Sequence, residues 1–295
     1  MAIFRISNLT FGAPTLVGGA GSVIAILDFC LVSKMGWTKA FSGTNLATYR
    51  APTGNRFYLA IDDTSSTGSV RFRGFETATA AGVGVASGTG PFPTDLQVSG
   101  GLYTSVATSS AKSWELYSNG LLFHLFTYGG GSTTDIFTFG DFVSYRGGDA
   151  YGTLIRGQTT LGSCVASSLS SGYAGVSTGA YVARAYTGIG SSLNVGILCD
   201  SLLTSPTQMG NSTLPYPNPI TGAIHLIPLT ITDPNVGARG VLPGLWNSLQ
   251  TLPMADRDTF TGSGTSAGRA FELRFIYMGG YAYKAVVETS DTWGT

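Results

Sequence analysis

Four lysines and four glutamates in 295 residues set the strongest limit on what this chain folds into. A surface helix needs a charged outer face, and Lys and Glu supply it without loss of helix propensity. With so few of either, a helical bundle or a coiled coil is excluded. Glycine (42), serine (31) and threonine (36) together fill more than a third of the chain. Gly and Thr weaken helix interiors and suit turns and strands. Apolar residues make up 43%, with 16 Phe, 14 Tyr and 4 Trp, enough to bury a core and to exclude global disorder.

Charged residues are only 11%, and 16 basic residues balance 16 acidic ones. No basic stripe exists for a phosphate backbone, so no nucleic-acid partner is expected. No stretch approaches the roughly 20 apolar residues of a membrane span, so no membrane partner is expected either. A neutral, charge-poor exterior associates readily. Composition therefore predicts a β-rich subunit that buries surface against copies of itself or other proteins. Cys30, Cys164 and Cys199 are odd in number and widely spaced, which argues against a disulfide framework or a zinc site. Residues 1–10 carry one Arg, and the apolar run 23–27 stops at Asp28, so no secretory signal is read and assembly in the cytoplasm is expected.

One helix is legible, over residues 22–35. Ser22 suits its N-cap, Gly36 ends it, and Val23, Ile24, Ile26, Leu27, Cys30 and Leu31 share one face. Strand signals dominate afterwards. Residues 69–75 alternate, with Val70 and Phe72 on one face and Arg71 and Arg73 on the other. Trp114-Glu115-Leu116-Tyr117 and residues 121–128 flank Asn119-Gly120, which predicts a hairpin with a type I′ turn. Residues 136–145 form a strand region broken at Gly140-Asp141, and 224–231 read as two short strands around Pro228. Residues 271–278 and 282–287 read as a closing hairpin. The fold class predicted is mainly β, antiparallel sandwich- or barrel-like units with one short N-terminal helix. A composition shift places a boundary near residue 157, giving a β-rich N-terminal domain (residues 1–157) and a Gly/Ser-rich β domain (residues 158–295). The second domain contains a Pro-rich arm, 206–220, with Pro206, Pro215, Pro217 and Pro219.

Catalytic motifs are weak. Gly175-Val-Ser177-Thr-Gly179 and Gly264-Thr-Ser266-Ala-Gly268 match the G-x-S-x-G pattern. In a chain this rich in Gly and Ser chance suffices, and neither match has the strand-to-helix setting of a nucleophile elbow. Asp62-Asp63-Thr64 ends a strand and reads as a turn. Paired with Glu76 or Asp141, those aspartates leave a glycosidase formally open. His124 and His225 lack metal-ligand spacing, so neither metal nor cofactor is expected.

Several strings occur together: Gly36-Trp37-Thr38-Lys39-Ala40-Phe41-Ser42-Gly43-Thr44-Asn45 with Tyr49-Arg50, Phe57-Tyr58-Leu59 with Asp62-Asp63-Thr64, and Arg73-Gly74-Phe75-Glu76. Gly140-Asp141, Gly148-Asp149-Ala150-Tyr151 and Leu214-Pro215-Tyr216-Pro217-Asn218-Pro219 follow. The last are Arg239-Gly240-Val241-Leu242-Pro243-Gly244-Leu245-Trp246 and Glu288-Thr289-Ser290-Asp291-Thr292-Trp293. Together they resemble tailed-bacteriophage and prophage virion structural, tail-associated proteins. The resemblance implies a non-enzymatic structural subunit of the tail, baseplate or neck, located in the virion and assembled in the bacterial host cytoplasm. It implies contacts with copies of itself and with other virion proteins. Alternatives are a fibre or receptor-binding module gripping a host glycan, and a capsid decoration protein. Interface candidates are Trp37, Tyr49, Pro215, Tyr216, Pro217, Pro219, Trp246 and Trp293, because aromatics and rigid prolines make contacts at low entropy cost; Trp37, Tyr49 and Trp246 read equally as core aromatics.

Overall fold

A computed structural model describes residues 3–64, 69–83, 87–94, 102–105, 111–128, 134–157, 179–198, 217–248, 252–278 and 281–293. The chain opens with β1 (Phe4–Ser7) and a helical segment, in which α1 (Ser22–Leu27) runs directly into a π-helix (Asp28–Lys34). Next come β2 (Thr38–Gly43), β3 (Leu46–Arg50), β4 (Tyr58–Asp62), β5 (Ser69–Ala78), β6 (Gly88–Phe92) and β7 (Leu102–Ser105). The middle of the chain supplies β8 (Trp114–Ser118), β9 (Leu122–Tyr128), β10 (Thr134–Asp141), β11 (Val143–Ser144), β12 (Thr153–Arg156), β13 (Ala180–Val182) and β14 (Leu193–Asn194). The remainder is β15 (Gly196–Leu198), β16 (Leu226–Asp233), β17 (Gly237–Ser248), β18 (Thr259–Thr261), β19 (Ala270–Met278) and β20 (Tyr281–Glu288).

These strands form three antiparallel sheets. One, in the order β1-β8-β9-β10-β12-β13-β14, is buried on both faces. Leu116, Phe123, Leu125, Phe137 and Ile155 point to one side, where they pack on Leu59, Ile61, Phe72 and the helix. Tyr117, Leu122, Phe126, Ile136 and Leu154 point to the other, against Ile231, Leu242, Leu245 and Val287. The sheet β2-β3-β4-β5-β6, with β7 on β5, covers the first side. The sheet β15-β16-β17-β20-β19-β18, with β11 on β17, covers the second. The result is a three-layer β-sandwich. It explains why β8 and β9 read as near-continuous apolar runs: a strand buried on both faces has no solvent face to alternate with. At the first interface the Phe72 and Phe137 rings stack at 3.8 Å between centroids.

The mainly antiparallel β class with one short helical segment is what the sequence predicted. The details differ at four points. The boundary expected near 157 falls inside the middle sheet, because β12 pairs with β13 from beyond it. The two short strands around Pro228 are one strand, β16, with a register shift at Pro228/Leu229. Pro228 lies outside the stretch that β15 pairs, so its missing N–H leaves no gap on that side. The Asn119-Gly120 turn has positive φ only at Gly120. Asn119 instead uses its side-chain oxygen, which accepts from the N–H groups of Leu121 and Leu122 at 3.0 and 2.9 Å, in a longer loop.

The fourth difference concerns the helix start. Gly21, with φ 88°, holds the N-cap position, and Ser22 is already helical. The free N–H groups of Val23 and Ile24 donate to Asp63 Oδ2 at 2.9 and 3.3 Å, so the cap comes from the end of β4. Burial pushes the Asp63 carboxyl up to about 6, against the lowering effect of the bonds it accepts. The apolar helix face is buried as its periodicity predicts, and Gly36 (φ 71°) ends the segment. Burial also pushes the Cys30 thiol on that face up to about 12.

Candidate functional site

The sequence-derived interface residues separate into two groups. Trp37, Tyr49, Trp246 and Trp293 are enclosed by their own chain, none more than 9% exposed. Trp37 Nε1 donates to the Gly120 carbonyl at 2.8 Å, and the Tyr49 hydroxyl to Asp28 Oδ1 at 2.8 Å. Trp246 Nε1 donates to Glu288 Oε2 and Trp293 Nε1 to the Glu288 carbonyl, each at 2.9 Å. These four are core aromatics whose polar ends are satisfied internally, so they present almost no surface to a neighbour. Pro217 and Pro219 are exposed and flank Asn218. The Asn218 side chain accepts from Ile220 N–H at 2.9 Å and Thr221 N–H at 3.1 Å, a compact turn. Pro215, Tyr216 and the rest of the arm before Pro217 lie outside the described residues.

The carboxylates considered for hydrolysis already have protein partners. Asp62 pairs with Arg71 and accepts from Thr64 N–H at 3.1 Å, the turn that the sequence implied. Asp63 caps the helix. Glu76 holds Arg184 through two bonds. Asp141 accepts from Asn55 N–H at 2.6 Å and from the Thr153 hydroxyl. Ser266 is buried in a 3₁₀ turn, and its hydroxyl donates to the Ser263 carbonyl at 3.0 Å. Ser177 lies outside the described residues. Among the described residues no group of three His, Cys, Asp or Glu is arranged to hold a metal ion. Among them also, no helix is long and apolar enough to cross a membrane.

Sequence reasoning missed how much charge is turned inward. Ten Asp, Glu and Arg residues are buried among those described, in a chain with only 16 acidic and 16 basic residues. At the edge where the middle sheet meets the third, Arg274 Nη2 contacts Glu115 Oε2 at 2.6 Å and Nη1 contacts Glu272 Oε1 at 3.2 Å. Arg257 reaches Glu115 from the loop before β18 at 3.0 Å, and Arg5 of β1 pairs with Glu272. Tyr117 and Tyr128 hydroxyls donate to Glu115 Oε2 at 3.0 and 3.3 Å. Burial raises the Glu272 carboxyl, opposed by Arg5, and burial lowers the Arg274 guanidinium. In sequence, Glu115 and Glu272 sit where a half-buried strand would show them to water. A second layer puts them indoors.

A second knot ties two loops to β17. Arg239 donates to Asp149 through Nε (2.9 Å) and Nη2 (2.8 Å), and to the Arg184 carbonyl through Nη1 at 2.8 Å. It also donates to the Tyr151 carbonyl at 3.1 Å and lies 3.5 Å from Asp233. Burial pushes the Asp149 carboxyl up, but the bonds and charge of Arg239 overcome it and leave it below the ordinary range. His124 makes a further polar contact, between the middle and third sheets. Its Nε2 lies 2.8 Å from the Pro243 carbonyl, which only accepts, so Nε2 carries the proton. Nδ1, 2.9 Å from the Thr138 hydroxyl, is then the acceptor. Complete burial lowers its pKa to about 3, reinforced by Arg156 and opposed by the Pro243 bond.

Chemically these are salt-bridge and hydrogen-bond networks: carboxylates meet guanidiniums, hydroxyls or backbone N–H groups, with Arg239, Arg274, Glu115 and Glu272 inside the sandwich and Arg5 and Arg257 reaching in from its rim. The outer surface they leave is poor in charge. On it stand large apolar side chains, including Phe11 (99% exposed), Ile220 (91%) and Leu9 (82%). No protein-family model matches the chain, and no curated protein matches it.

Proposed function

We propose that this chain is a non-enzymatic structural subunit of a tailed-phage virion, in the tail, baseplate or neck, that assembles through subunit interfaces. The observation that carries the subunit reading is the inward placement of charge with large apolar side chains left outside. A free monomer with that surface is prone to associate, whereas a subunit covers it. Net charge of zero adds no long-range repulsion between copies. The virion setting rests on the resemblance of the quoted strings. Two of these strings, around Asp149 and around Arg239, meet in the buried ion pair. Support for a structural rather than catalytic role comes from carboxylates that are engaged by the protein itself.

Two measurements test this. Sedimentation velocity on the purified chain should show a discrete oligomer. Mass spectrometry and antibody labelling of particles from the host strain should find the chain at a repeating station on the tail, baseplate or neck. A monomer at high concentration that is missing from particles overturns the proposal, as does turnover of a cell-wall polysaccharide that is lost in Asp62→Asn.

A further inference from the structure

Asn218 and His225 meet across the turn that leads into β16, with Asn218 Nδ2 and His225 Nε2 3.0 Å apart. The direction of this bond follows from the other end of the amide. Asn218 Oδ1 accepts from Ile220 N–H at 2.9 Å and from Thr221 N–H at 3.1 Å. Two donors on that side fix the oxygen there and leave the amide nitrogen pointing at the ring. That nitrogen only donates, so Nε2 is the acceptor and carries no proton. The imidazole is therefore neutral, with its proton on Nδ1. His124, inside the sandwich, carries its proton on Nε2 instead.

The bond ties an outer turn to an anchored strand end. In the turn, Gly222 N–H donates to the Asn218 carbonyl at 2.7 Å and Asn218 N–H to the Ala223 carbonyl at 3.2 Å. Pro219, Ile220, Thr221 and Gly222 are all exposed. On the strand side, Ile224 N–H donates to Ser263 Oγ at 3.0 Å. Ile224 and Leu226, on either side of His225, pack with Trp246 and Phe271. His225 thus stands on a fixed base, and the Asn218 side chain holds the turn to it.

We propose that Asn218 and His225 form a proton-sensitive latch on this turn, closed by the neutral imidazole and opened by the imidazolium. Histidine is the side chain that changes charge between about pH 5 and 8, and His225 is half-buried, within reach of solvent protons. An imidazolium has an N–H at both nitrogens, so Nε2 becomes a donor facing a donor. Turning the amide over gives the ring an acceptor again, but it aims Nδ2 at the N–H groups of Ile220 and Thr221. One bond is then gained for two lost, and either way fewer bonds hold the turn. The segments adjoining His225 add no charge of their own. Residues 217–228, 244–248 of β17 and 260–268 contain no Asp, Glu, Lys, Arg, Tyr or Cys, and no second His. Arg269 and Glu288, both at Trp246, face each other at 3.7 Å. The latch lies where the Pro-rich arm gives way to β16, so it sets how firmly the end of that arm is held. It stands whether or not the chain is a virion subunit.

The experiment is nitrogen-15 NMR on the full chain, whose two histidines give the only imidazole signals. At pH 7.5 His225 should carry its proton on Nδ1 and His124 on Nε2. Lowering the pH to 5 should protonate His225 and leave His124, with its pKa of about 3, neutral as an internal control. Solvent exchange of the Ile220 and Thr221 amides should then speed up about fivefold beyond the intrinsic effect of pH, the loss of roughly one hydrogen bond. Asn218→Asp should reverse the sign. One carboxylate oxygen still accepts from both backbone N–H groups, and the other accepts from the ring. The proton should then sit on Nε2, and exchange of the two amides should slow as His225 is protonated. A wild-type His225 with its proton on Nε2 at pH 7.5 overturns the latch. So do Ile220 and Thr221 amides that keep their exchange rates while His225 is protonated, and so does a response in Asn218→Asp with the same sign as in wild type.

Discussion

The guanidinium of Arg239 and the carboxylate of Asp149, 90 residues apart in sequence, are joined by two hydrogen bonds of 2.8 and 2.9 Å inside the protein. Both side chains are at most 1% exposed. The pair fastens the loop before β12 to β17, and through the Arg184 carbonyl it fastens the loop after β13 as well. It is an ion pair between the layers rather than on a surface.

Breaking that pair from one side should be severe. Asp149→Ala leaves the buried Arg239 with Asp233, 3.5 Å away, as its remaining counter-charge, a loss of about 3 kcal/mol. Urea unfolding should show the midpoint fall with little change in slope. Asp149→Asn keeps the acceptor oxygen and should lose less. Wild-type stability in Asp149→Ala would show the pair to be unimportant.

Acid should weaken the sandwich through His124. Its folded pKa, about 3, lies below the ordinary 6.5, so the unfolded chain binds the proton more readily. Its contribution is complete above pH 6.5 and is lost as pH falls from there towards 3, on the order of 4 kcal/mol in total. In His124→Gln that share of the pH dependence should vanish, leaving a flatter profile of unfolding free energy between pH 7 and pH 4. An unchanged slope in the variant would refute this role.

Asp63 should behave in the opposite sense. Its folded pKa, about 6, lies above the ordinary 3.8, so its contribution falls as pH rises from 3.8 through 6. Asp63→Asn keeps an acceptor for Val23 and Ile24 without burying a charge. Relative to wild type it should gain more at pH 7.5 than at pH 4.5. Asp63→Ala removes the cap and should lose about 1–2 kcal/mol by thermal unfolding.

Two glycines separate backbone strain from crowding. Gly244 and Gly237 both have φ near +80°, at 80° and 74°. An added Cβ would run into the Trp293 ring in the first case and meet nothing within 4 Å in the second. Gly237→Ala should lose about 1–2 kcal/mol from strain alone. Gly244→Ala should lose more, and its Trp293 fluorescence should shift as the ring is displaced. Equal losses in both variants would count against the close approach.

Legibility in the sequence followed the range of the forces involved. The helix face from Val23 to Leu31 and the alternation of Val70 and Phe72 are local periodicities, and both appear as read. The helix cap was not legible, because its acceptor, Asp63, is 40 residues from Val23. Nor was the fate of Trp37, Tyr49, Trp246 and Trp293. An aromatic residue reads the same in a string whether it packs inside or against a neighbour, and only the layer above it decides. Pro228 looked like a strand break because the register shift against β17 that accommodates it is absent from the local sequence.

The sequence by itself determined a charge-poor, Gly- and Thr-rich antiparallel β protein with one helix, since propensity, period and composition act over a few residues. Only the tertiary structure decided that the middle sheet is covered on both faces. That stacking makes Glu115, Glu272, Arg239 and Arg274 interior residues and forces them to pair across layers, because a charge taken out of water must find its partner inside the protein.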